Sequence, residues 1–387
     1  MNVPKIRFNG FEEEWQENKL CDIARIAMGQ SPNSENYTND SNDTLLIQGN
    51  ADLNNGKVIP RLFTKQVTKT CDKNDIIMTV RAPVGDIAIS DYNACIGRGV
   101  CSIKSSKFVY HYLDYLKMKD YWKKISKGST IDSITSDDIK SLLIKTPNKK
   151  EEEKIIKTID LINKKIELQS KKIEDLKLFT KNTISNELNN LQNYNIFKFK
   201  DICNIQTGKS NTQDKCDDGI YPFYIRSENI EKSNNYIFDC EAVLTIGDGN
   251  IGKVFFYENG KFDCHQRVYV LNNFKNVLGK YVYYYFSSFF YKRAMSMSAK
   301  NTVDSVRMEM ISDMIIKVPQ EKEQIKMINL FSCLDKKLGL EQNKLDKLQE
   351  LKKGRECKKL CVKLPIHGNK DIWDWLYQSL FVTIIIT

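Results

Sequence analysis

The sequence predicts an α+β chain built twice: two similar β-rich α/β globules, separated and joined by two long helices that pair as an antiparallel coiled coil with pseudo-twofold symmetry. Three observations predict it. A stretch of the chain repeats without a gap, each globular part breaks into short β-rich runs between turn residues, and each globule leads into a heptad stripe.

The repeat is the firmest of the three. Residues Ser129 to Thr180 return 172 positions later as Asn301 to Lys352, keeping Thr130/Thr302, Asp132/Asp304, Ser133/Ser305, Pro147/Pro319 and a Lys-Lys pair at 164–165 and 336–337. Further back, KLCDIARIAMGQS (from Lys19) is echoed by KFKDICNIQTGKS (from Lys198), with Asp22/Asp201, Gly29/Gly208 and Ser31/Ser210 in register. Between these anchors the halves agree only in pattern, as in TLLIQGNADL against YPFYIRSENI and TVRAPVGDIAIS against TIGDGNIGKVFF. Each half is therefore a variable globule followed by a constant helical segment.

Along the chain the elements follow in order. After the polar leader PKIRFNGFEEEW come LLIQG, KVIPRLF, DIIMTV, DIAIS and GVCSI, apolar runs cut by Gly, Asn, Asp and Pro, which read as strands. Phe108 to Lys127 then repeats apolar and aromatic residues at helical intervals and predicts one amphipathic helix. The second half repeats the scheme with YIF, AVLTI, KVFFY and VYVL before the aromatic helix YVYYYFSSFFYKRAMS. Expected boundaries are 1–148 for the first globule, 149–192 for the first long helix, 193–318 for the second globule, 319–361 for the second long helix and 362–387 for an atypical tail. That tail has no counterpart in the first half, and its apolar end is an aggregation liability.

In the first long helix Ile155, Ile159, Ile162, Ile166, Gln169, Ile173 and Leu176 alternate in steps of four and three. Met327, Phe331, Leu334, Leu338, Glu341, Leu345 and Leu348 hold the same register in the second. This is a coiled-coil seam, about 60 Å long for ~40 residues at ~1.5 Å each. The polar interruption falls on one layer in both copies, Gln169 and Glu341. Equivalent residues of two antiparallel helices meet only at the middle of the pair, so these two are expected to touch and to specify the register.

Composition narrows the function. The 387 residues are 41% hydrophobic, enough for packed cores, and carry a formal net charge of +10, which suits a polyanionic partner and also simple solubility. Eleven cysteines without a CxxC pair and only three histidines leave few candidate zinc ligands. No apolar leader follows Met1 and no apolar run reaches spanning length, so a reduced, cytoplasmic protein with no membrane partner is expected.

The opening PKIRFNGFEEEW…KL, the strand-turn-strand APVGDIAI, the junction GSTIDSITSDDIKSLLIKTPNKKEEEKI and its repeat NTVDSVRMEMISDMIIKVPQEKEQI resemble the DNA-specificity subunit of type I restriction–modification systems, over nearly the whole chain to about Cys361. The resemblance implies that the globules are target-recognition domains, each reading one half of a bipartite site in double-stranded DNA. It implies that the helices are spacers that dock two methyltransferase subunits and the restriction/translocase subunits, with the chemistry, S-adenosylmethionine included, left to those partners. On this reading the chain is not an enzyme and needs no cofactor or metal of its own. Base-reading candidates are Gln48, matched with Arg226, Arg98, matched with Arg267, and Arg81 beside the turn of the first domain, because Arg and Gln make bidentate contacts to guanine and adenine edges. Lys209 and Lys300 suit phosphates.

Two other readings compete. A coiled-coil adaptor accounts for the duplication and the heptads but not for the charge. A nucleotide-dependent enzyme would use GDGNIGK (Gly247 to Lys253), which fits both GxGxxG and GxxxxGK. However, Val254 stands where a Walker loop needs Ser or Thr, and VFFYENG reads as a strand where both motifs need a helix.

Overall fold

The computed structural model describes residues 7–126, 133–297 and 305–352. They form two compact units: residues up to Leu168 together with the stretch from Leu345, and Gln169–Lys344.

In the first unit, Arg25–Met28, Val100–Lys104, Ile76–Thr79, Ile87–Ile89, Lys57–Val58 and Leu53–Asn54 lie side by side in a six-stranded mixed sheet. A five-stranded sheet runs Tyr37–Thr38, Phe63–Thr64, Thr44–Ile47, Ala94–Ile96, Thr70–Cys71. The side chains of Ile76–Thr79 are buried on both faces and divide with the period of two that a strand imposes. Ile76 and Met78 join the helices Lys107–Met118 and Tyr121–Ser126, whereas Ile77 packs with Ile47, Val58, Ala88 and Ile96. Ile155 and Ile159, from the start of the long helix Lys149–Asn189, complete the first of these cores. A separate ribbon pairs Gln16–Lys19 antiparallel with Leu143–Thr146 and closes the unit beneath that helix.

The single helix expected from Phe108 to Lys127 is instead two. It breaks at Asp120, whose φ is +54°, and Tyr121–Ser126 then drives Trp122 into the core at 1% exposure. Gly85, at φ +83°, makes this possible, since a Cβ there would lie 2.4 Å from Trp122 Cδ1. Helical periodicity alone could not reveal the break, because Tyr121 and Trp122 suit either continuation.

The second unit repeats the plan. Asn204–Thr207, Val268–Asn272, Phe238–Ile246, Phe255–Cys264, Tyr221–Tyr224 and Ile230–Ser233 form a six-stranded sheet. The ribbon here is Tyr194–Lys198 with Ile315–Pro319. Helix Gly279–Ser296 packs Tyr281, Phe286 and Phe290 onto one sheet face, with Ile184 and Leu188 of the first long helix and Met327 and Phe331 of the second, Glu321–Lys352, in the same core.

Within this unit the long helices are antiparallel: from Gln169 toward Leu188 the first descends as its partner runs from Glu341 back to Met327. Gln169 Nε2 donates to Glu341 Oε2 at 2.8 Å and to the Glu341 carbonyl at 2.9 Å. Lys172 and Lys344 each reach the same carboxylate at 3.0 Å. These donors, Gln169 first, hold the Glu341 carboxyl down at about 2.

Candidate nucleic-acid interface

In the first unit, strands Thr44–Ile47 and Ala94–Ile96 run parallel and end on the same side, so the loops that follow them meet. Gly97 N donates to Ile47 O at 2.8 Å. A Cβ on Gly99 would fall 2.1 Å from the Gln48 carbonyl oxygen, so the approach needs a residue without one. The carboxylate of Asp52 accepts from the backbone N–H of Gln48 at 2.8 Å and of Gly49 at 3.1 Å and shapes the first loop. Ser31 Oγ accepts from Arg98 N at 3.1 Å and anchors the second. Arg81 leaves the central strand where its backbone bridges Ser133.

The result is a groove of about 540 Å³ that gathers Gln48, Arg81 and Arg98, with Ser31 and Tyr37 in its wall. Both arginines are exposed, while Gln48 is half-buried, its Nε2 shielded from solvent and without a hydrogen-bond partner. An unsatisfied buried amide costs free energy, so this nitrogen is a strained feature of the groove wall. The groove thus offers two exposed cationic forks, the groups that pair with guanine edges, with the Gln48 amide covered beside them.

The second unit places its polar residues differently. Arg226 Nη1 contacts Asp248 Oδ2 at 3.2 Å, with side-chain exposures of 50% and 23%. His265 Nδ1 accepts from Arg267 N at 3.0 Å. Burial foremost, and then the nearby Arg226 charge, lower the His265 pKa below the ordinary histidine value and favour the neutral ring. Gln266 Nε2 donates to Asn211 Oδ1 at 3.0 Å. Lys209 is exposed beside Ser210, and Lys300 lies outside the described residues, as do Thr130, Asp132, Thr302, Asp304 and the tail 362–387.

The hydrogen-bond ladders correct the matching of the two halves. Val80 N donates to Gly99 O in the first unit, and Gly247 N donates to Arg267 O in the second. Gly97 N donates to Ile47 O, and His265 N to Tyr224 O. Arg267 therefore corresponds to Gly99 and Arg98 to Gln266, one residue away from the pairing expected from sequence. Counted on from Ile47 and Tyr224, Gln48 falls at the place of Ile225 and Gly49 at that of Arg226, and the bridges to Ser133 and Ser305 set Arg81 at the place of Asp248. Asp248 and Gln266 escaped the sequence reading because the chain around them matches only in pattern; the GDG at Gly247 to Gly249 marked the place but pointed to a turn.

That turn is what forms. Gly249 and Gly252, at φ +76° and +66°, lead from strand Phe238–Ile246 directly into the antiparallel strand Phe255–Cys264, with no helix after Lys253. Among the described residues, no group of three or more His, Cys, Asp or Glu could hold a metal ion, and no helix is long and apolar enough to cross a membrane.

A family model for the type I restriction modification DNA specificity domain matches residues 12–178 and again 192–350. The putative type I restriction enzyme MjaX specificity subunit of Methanocaldococcus jannaschii is 36% identical over 172 residues, which cover 42% of this chain and 40% of that protein. The MjaIX specificity subunit of the same organism is 27% identical over 179 residues, 42% of this chain and 41% of its own length. The chain thus aligns with about two fifths of either relative. Among solved structures, the S subunit of a type I restriction–modification system from M. genitalium superposes with a TM-score of 0.59 at 16% identity, over 97% of this chain and 99% of that one. A chain from a structure concerned with complex assembly and conformational transition of the type I R-M system gives 0.59 at 15%, over 88% and 96%. At such identities the likeness is one of fold.

Proposed function

The chain belongs to the family of type I restriction modification DNA specificity domains, of which it carries two copies, and from that premise we propose that it is the sequence-reading subunit of such a system. Each globule reads one half of a bipartite site in double-stranded DNA. Gln48, Arg81 and Arg98 read the first half, and Arg226 and Arg267 the second, with Lys209 and Lys300 on phosphates. The long helices, locked in register at Gln169 and Glu341, join the readers and dock two methyltransferase subunits and the restriction/translocase subunits. The chain is non-catalytic and binds no cofactor; methylation and cleavage belong to those partners. Residues 1–148 and 193–318 are the recognition domains and 149–192 and 319–361 the spacer segments, of which 353–361, like the atypical tail 362–387, lie outside the described residues.

The observation that carries this reading is the convergence of Gln48, Arg81 and Arg98 on one polar groove. Direct readout needs donors placed together at one base edge, and scattered surface charge would not provide that. The test is retention of random duplex DNA by the full chain, alone and co-expressed with modification subunits, followed by mapping of methylated sites in cells with and without it. Retention and a gapped, two-part methylated motif that depends on this chain are expected. Absence of DNA retention in both preparations refutes the proposal.

A further inference from the structure

Resting on the reading of the second unit as a DNA reader, the geometry points to Arg226 and Asp248 as a buttressed pair in which Arg226 reads one guanine and Asp248 sets that choice as its positioning residue. The corrected register makes the pair visible. At the place of Arg226 the first unit has Gly49, and at the place of Asp248 it has Arg81. The two units therefore carry opposite charges at one structural position, and in the second a carboxylate is coupled to a reading arginine.

Three features favour this role over an ordinary surface ion pair. First, Asp248 is held from both sides: its backbone bridges Ser305, and the preceding Gly247 N donates to Arg267 O at 2.7 Å, which sets Asp248 beside the second candidate arginine. Second, Asp248 meets Arg226 through one terminal nitrogen, Nη1. The Nε–Nη2 edge of the guanidinium, two parallel donors, is thus the one left to match O6 and N7 of guanine. Third, Arg226 is half-exposed while Asp248 is largely covered, at 50% and 23%. The carboxylate is thus the covered member of the pair and the guanidinium the member open to a base. Restraining a long side chain before binding lowers the entropy lost on contact and sharpens its choice of partner.

The test uses the full-length chain co-expressed with modification subunits and a duplex library randomised across both half-sites, with sequencing of the bound fraction. Wild type is expected to demand G·C at one position of the second half-site by roughly 5- to 150-fold, the range of a good bidentate contact. Asp248→Ala and Arg226→Lys should bring that one preference close to unity and leave the other positions intact. Asp248→Asn, which keeps an acceptor oxygen, should restore part of it, whereas Arg98→Ala should loosen the first half-site instead. An unchanged preference in Asp248→Ala overturns the inference, as does uniform loosening at every position. So does loss of all binding by both Asp248→Ala and Arg226→Lys, because a pair tuning one base leaves the phosphate contacts in place. A wild-type chain that retains DNA but selects no sequence refutes the functional reading itself, and the inference with it.

Discussion

Glu151 opens the first long helix as a buried carboxylate, 1% exposed, and three donors converge on it. Arg7 Nε and Nη2 approach at 2.8 and 2.7 Å, and Trp15 Nε1 at 3.1 Å. The hydrogen bonds to Glu151 raise the Arg7 pKa, so the guanidinium stays charged. Glu151→Ala strands that guanidinium, itself only 10% exposed, and takes one acceptor from the indole N–H of a core tryptophan. Breaking a buried pair by removing one partner costs about 3–5 kcal/mol, whereas replacing both by apolar groups of similar volume is close to neutral. With a urea slope of ~2 kcal/mol/M for a unit of this size, the midpoint should fall by about 1.5–2.5 M. The double variant Arg7→Met/Glu151→Met removes both charges and should recover most of that loss, to within ~1 M of wild type, the remainder being the Glu151 acceptor that the Trp15 indole no longer has. Urea titration followed by circular dichroism measures both. A Glu151→Ala midpoint within ~0.5 M of wild type, at unchanged slope, refutes the reasoning, for it would mean that water reaches the stranded groups.

The remaining predictions concern pH, packing and DNA. His111, 2% exposed and beside Asp160, has its pKa pushed down to about 4, chiefly by burial. The unfolded chain takes up that proton near 6.5 and the folded chain only near 4, so stability is full above 6.5 and falls by ~3 kcal/mol as pH drops through this window. In His111→Gln the slope of stability against pH in that range should flatten. Glu341 acts in a separate window: its depressed carboxyl stabilises the helix pair above 4.5, and this is lost as pH falls toward 2. Acid titration of Glu341→Gln should lack that step. Gly85→Ala meets both a positive φ and the Trp122 ring, and should lower stability by about 2–4 kcal/mol, read as a drop in Tm. For DNA, Arg98→Ala should reduce discrimination at one base pair by about 1–3 kcal/mol, whereas Lys209→Ala should weaken all sequences alike and reduce the salt slope by about one.

Much of the architecture was legible because it repeats on a local period. The heptad steps from Ile155 to Leu176 and from Met327 to Leu348 need only helical geometry, and apolar residues in those steps must face a partner. Ile155, Ile159, Ile162 and Ile173 are buried, as are Met327, Phe331 and Leu345. The strands around Ile76–Thr79 and Phe238–Ile246 were legible for the same reason. The break at Asp120 was not, because it answers to the cavity over Gly85, and that cavity is made by residues distant in sequence.

The sequence by itself determined that one unit is built twice, that each copy ends in a helix with an apolar stripe, and that Gln169 and Glu341, at equivalent positions, occupy one layer. Periodicity and a gapless repeat contain that information, since each depends on fixed spacing along one helix. Only the tertiary structure decided which loop residues correspond and which share a groove. It brought Gln48, Arg81 and Arg98 together, and it moved Arg226 opposite Gly49 and Asp248 opposite Arg81. The physical reason is that loop register is set by backbone hydrogen bonds between strands far apart in sequence, where one inserted residue shifts every side chain beyond it.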